Sequence, residues 1–166
     1  MTKKTDYTSD EWQLQLLIDA PTLAGLAVMV AGKSGLGTMK EAVAVTQGTL
    51  SSGDAHSNVE LVQAIIEART KGGEKSSAET MTNNPYQGLG REKFVEVAAE
   101  KCTAASELLG RKATAEEALA FKAWVLSIAD RVAKAAREGG FLGVGGTQVS
   151  EEEVATVDRI KASLSA

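Results

Sequence analysis

Five successive stretches of helical periodicity each run into a glycine, at Gly32, Gly53, Gly72, Gly110 and Gly139. The last opens the run Gly139-Gly140-Phe141-Leu142-Gly143-Val144-Gly145-Gly146. Apolar residues returning every three to four positions mark amphipathic helices, and glycine closes a helix because it enters the left-handed conformation cheaply. The pattern predicts an all-α chain in which glycine turns join packed helical rods. With 166 residues the chain fits one domain and buries a core without disulfide staples. The expectation is a single helical domain over 1–166, a bundle of about five to seven helices. Residues 1–8 are expected as a flexible N-terminus and 71–90 as a long polar loop.

Composition narrows the packing and the partners. Aromatic residues are only 4% of the chain while alanine is abundant, so small and aliphatic side chains must build the core, which favours close helix-on-helix contact. The net charge of -4 argues against nucleic acid, whose binders carry a basic face, and against docking on an anionic membrane. Cys102 is the single cysteine and His56 the single histidine, which removes disulfides, thiolate clusters, zinc sites and histidine-dependent triads. Cys102 falls in a periodic run and reads as a small buried hydrophobe. The polar start from Met1 to Glu11 lacks the apolar core of a signal peptide, so a cytoplasmic location is expected.

The most apolar stretch runs from Leu14 to Ala31. It contains Asp19 and Pro21, and its uninterrupted part from Leu23 falls short of the ~20 residues that a bilayer requires. Apolar residues surround the helix from Leu23 onward, which predicts a central place in the bundle. Thr8 with Glu11 forms a capping box before it, and Pro21 is expected to kink this helix or begin a second one capped by Asp19. Shorter helices are predicted over 39–47 and 58–70, the second with a stripe of Val59, Val62, Ile65, Ile66 and Arg69, and a helical turn near 77–81. Residues 91–109 place Phe94, Val97, Ala98, Cys102, Ala105, Leu108 and Leu109 on one face, with Gly110 as the stop. Thr114 with Glu117 opens a long helix to Arg137, on which Ala118, Phe121, Val125, Ile128, Val132 and Ala135 form the seam beside Trp124. The short connection between these two helices predicts an antiparallel hairpin. Ser150 with Glu153 caps a last helix to about Leu164, whose predicted buried face is Val154, Val157, Ile160 and Leu164.

Two glycine-rich segments resemble ligand loops. Gly32-Lys33-Ser34 follows an apolar run and precedes a helix, as in a phosphate-binding loop, but Ala27 stands where that motif needs its first glycine. The preceding segment also reads as a helix and not as the strand such a loop needs. What remains is a candidate ligand-binding turn of Lys33, Ser34, Gly35 and Gly37, in which Lys33 and exposed amides face a small anionic or apolar ligand between helices. The run 139–146 follows a helix too, and its Phe141 and Leu142 either tuck onto the bundle or face a protein partner. No set of residues has the chemistry and spacing of a catalytic, metal or cofactor site. Asp19, a carboxylate in an apolar stretch, is the one candidate for a perturbed acid or base.

The ending Glu138-Gly139-Gly140-Phe141-Leu142-Gly143-Val144-Gly145-Gly146, followed by Val149-Ser150-Glu151 and a terminal helix, resembles that of a small bacterial family of all-helical proteins. Glu11-Trp12 and Ala20-Pro21, leading into an alanine- and glycine-rich helix, are similar to the family's opening. The resemblance implies a helical fold and a cytoplasmic bacterial setting, and carries no activity, cofactor or catalytic residue with it. Association, either self-association or capture of a protein partner, is the function these readings leave in front, with binding of a small ligand near Gly32–Gly37 as the alternative.

Overall fold

A helical stretch with no polar side must be covered from every direction, and the second half of α1, Leu14–Ala31, is such a stretch. Its residues from Leu23 through Val28 are all buried. The computed structural model describes residues 13–32, 59–69, 86, 88–138 and 150–165. Within them lie four further helices: α2 over 60–69, α3 over Arg91–Lys112, α4 over Ala115–Glu138 and α5 over Glu151–Leu164, with no strand among the described residues. The chain is an all-α bundle. α3 packs most extensively on α1, α4 follows, and α5 touches α1, α3 and α4. α3 and α4, joined through Ala113 and Thr114, touch each other less than either touches α1, so the central helix occupies the space between the arms of the hairpin.

One continuous core results. Leu17, Leu23, Ala24, Ala27 and Val28 of α1 meet Leu61, Val62 and Ile65 of α2, Phe94, Ala98, Cys102 and Leu109 of α3, Phe121, Val125 and Ile128 of α4, and Ile160 and Leu164 of α5. Alanines at 20, 24, 27, 98, 105 and 129 let the helices approach closely. Phe121 packs edge to face against Trp124, ring centroids 6.0 Å apart, as the aromatic anchor on α4. α1 is long and apolar enough to cross a membrane, 18 residues with a mean hydropathy of 1.7, but here 56% of it is buried under its neighbours.

The helix limits depart from expectation in several places. α1 runs through Pro21 as one helix, so Asp19 lies inside it and does not cap a new one. Its N-cap is Gln13, in the left-handed region at φ 43 with no side-chain cap, while Thr8 and Glu11 lie outside the described residues. Gly110 does not stop α3, which continues to Lys112, and a side chain there would point into open space. One glycine's cost in helix propensity is about 1 kcal/mol, small beside the packing of this long helix. On α5 the buried residues are Glu153, Thr156, Ile160 and Leu164, and Val154 is 49% exposed. The register is set by the buried capping carboxylate, which turns Val154 outward. The predicted elements at 39–47 and 77–81, and His56 and Trp12, lie outside the described residues.

The core predicts a sharp contrast along α4. Phe121→Ala should lower unfolding stability by about 3–5 kcal/mol, while Leu119→Ala, two residues away and 67% exposed, should stay within about 0.5 kcal/mol. Urea denaturation of the two variants measures both.

Candidate functional site

Of the segment expected to turn after α1, Gly32 is the described residue. Gly32 has φ -62 and ψ 142, so it ends α1 in extended backbone and not in the left-handed conformation expected of it. Its lack of a side chain matters for another reason. A Cβ at Gly32 would lie 2.6 Å from Oε1 of Glu153, too close for any real contact. Glu153 is buried and already committed, because its Oε2 accepts from the Ser150 amide at 2.7 Å while its own amide donates to Ser150 Oγ at 3.2 Å. The capping box of α5 is therefore wedged against the end of α1. Lys33, Ser34, Gly35 and Gly37, and Phe141 and Leu142, lie outside the described residues.

The Glu153 carboxylate puts a negative charge beside Gly32, at the end of α1. Sequence reading places Glu153 in the capping box of the last helix, as the structure does, but its long-range contact with Gly32 has no local signature.

A second polar cluster forms where α1 meets α2. Asp19 is partly exposed and accepts from Gln15 Nε2 at 2.7 Å, one turn earlier on the same helix. One turn later Thr22 donates to the Ile18 carbonyl at 3.2 Å and accepts from Arg69 Nη1 at 3.1 Å. Burial lowers the Arg69 pKa and the Asp19 charge partly offsets that by favouring the guanidinium. Tyr86, whose ring meets Phe94 edge to face at 6.1 Å, has its phenol pushed up by burial and then by the same Asp19 charge. Asp19 thus acts on two residues separated by much of the long polar segment. Sequence reading counts Arg69 in the stripe of α2 without a role, and a cation on an apolar stripe is the signal that could have found it; Tyr86 has no such mark.

The remaining buried polar groups bond across helices or within helix caps and turns. Ser106, buried on α3, donates from Oγ to the Leu164 carbonyl at 3.0 Å and so closes the end of α5. Its position four residues after Cys102 on the apolar face is the signal that could have found it. Thr114 and Glu117 form the expected reciprocal cap, with Thr114 N to Glu117 Oε2 at 2.8 Å and Glu117 N to Thr114 Oγ1 at 3.3 Å. Cys102 is buried, its Sγ 3.9 Å from the Ala20 carbonyl, and burial pushes its thiol up to about 12. Such a thiol is not a nucleophile at neutral pH. Among the described residues no three histidine, cysteine, aspartate or glutamate side chains are grouped to hold a metal ion.

Comparison with protein-family models, with curated proteins and with solved structures finds no match for this chain.

Two outcomes follow from this geometry. Gly32→Ala should destabilise the protein by about 1–2 kcal/mol, the scale of a disturbed cap, yet be neutral or slightly stabilising in a Glu153→Ala background, where the obstruction is gone. A double-mutant cycle by chemical denaturation reads the coupling directly. The Cys102 thiol gives an alkaline dependence. Its ordinary value is 9.0, so the unfolded chain loses that proton first, and stability present below pH 9 is lost as pH rises towards 12. Relative to Cys102→Ala, the wild type should lose roughly 1.4 kcal/mol by pH 10, measured as the pH dependence of the difference in unfolding free energy.

Proposed function

We propose that this chain is a cytoplasmic structural and interaction module that works by association, with a second copy as its first partner. The observation that supports this reading is the outward face of α4. Leu119 is 67% exposed there, and Ala115 and Ala123, one turn before and after it, are exposed as well. Half-buried Leu126 continues the row. Leu119 lies on the side of α4 opposite Phe121, Val125 and Ile128, so turning it inward would expose that core stripe. A leucine flanked by small residues suits close approach of another helix. The buried polar side chains are meanwhile used in caps, in an interhelical hydrogen bond and, at Thr156, in a bond to its own helix, which fits a rigid scaffold.

The alternative is a small ligand held between helices at the Gly32–Gly37 turn. Glu153 beside Gly32 weighs against an anion and leaves an apolar compound as the better guest. Thermal-shift screening separates the choices: acyl compounds should raise the midpoint and phosphates leave it unchanged if this reading holds, and flat responses to both retire it.

For association, sedimentation velocity across the micromolar range should show a concentration-dependent larger species. Leu119→Lys should weaken it at least about tenfold, equivalent to roughly 1.4 kcal/mol, without altering the circular dichroism spectrum. A wild-type protein that stays monomeric throughout contradicts self-association, and a Leu119→Lys variant that associates as the wild type does removes α4 as the contact face.

A further inference from the structure

We draw no further inference here: the strongest candidate, the side-chain cluster of Gln15, Asp19, Thr22, Arg69 and Tyr86 where α1 meets α2, uses its Gln15–Asp19 and Arg69–Thr22 hydrogen bonds to hold the fold, and nothing among the described residues there points to a ligand.

Discussion

Burial of α1 is the constraint from which the architecture follows. A helix apolar on all sides from Leu23 to Val28 has no face to offer water, so the helices around it must each supply an apolar stripe. α3 and α4 do so most extensively and α5 adds a third wall, while Leu61, Val62 and Ile65 of α2 join the same core. The hairpin arms are held apart by the helix they enclose. Pro21 and Gly25, poor residues for an isolated helix, are tolerated within α1 because tertiary packing, more than propensity, supports it.

Covering one helix with several others creates a second problem, since every helix end carries backbone groups that need partners. Ser150 and Glu153, and Thr114 and Glu117, satisfy two beginnings with side chains from the same first turn. Ser106 satisfies an end at long range. Glu153 does more than cap, because its carboxylate also occupies the space that a side chain at Gly32 would need. The start of α5 and the end of α1 are thereby fitted to each other.

What was legible in the sequence and what was not divide along physical lines. Periodicity located α1, α3, α4 and α5 and most of their buried residues, because a 3.6-residue repeat is a local property. The capping boxes of α4 and α5 were equally readable, being three residues wide. Gly110 misled because a glycine is compatible with a helix interior when packing outweighs its propensity, and Val154 misled because a polar residue, Glu153, claimed the inward position. The roles of Gly32, Arg69, Tyr86 and Ser106 depend on residues far away in the chain. No window of sequence contains both Gly32 and Glu153, so a glycine needed for close approach read as a glycine needed for its conformation. Lys33, Ser34, Gly35 and Gly37, and Phe141 and Leu142, lie outside the described residues, and the polar clusters that are described join residues distant in the chain.

Native-state hydrogen exchange tests the central claim most directly. If α1 is the enclosed helix on which the bundle depends, the amides of residues 23–28 should exchange only through global unfolding, with protection matching the unfolding free energy from denaturant melts. Those amides exchanging through a cheaper opening, while α3 and α4 stay protected, would contradict it.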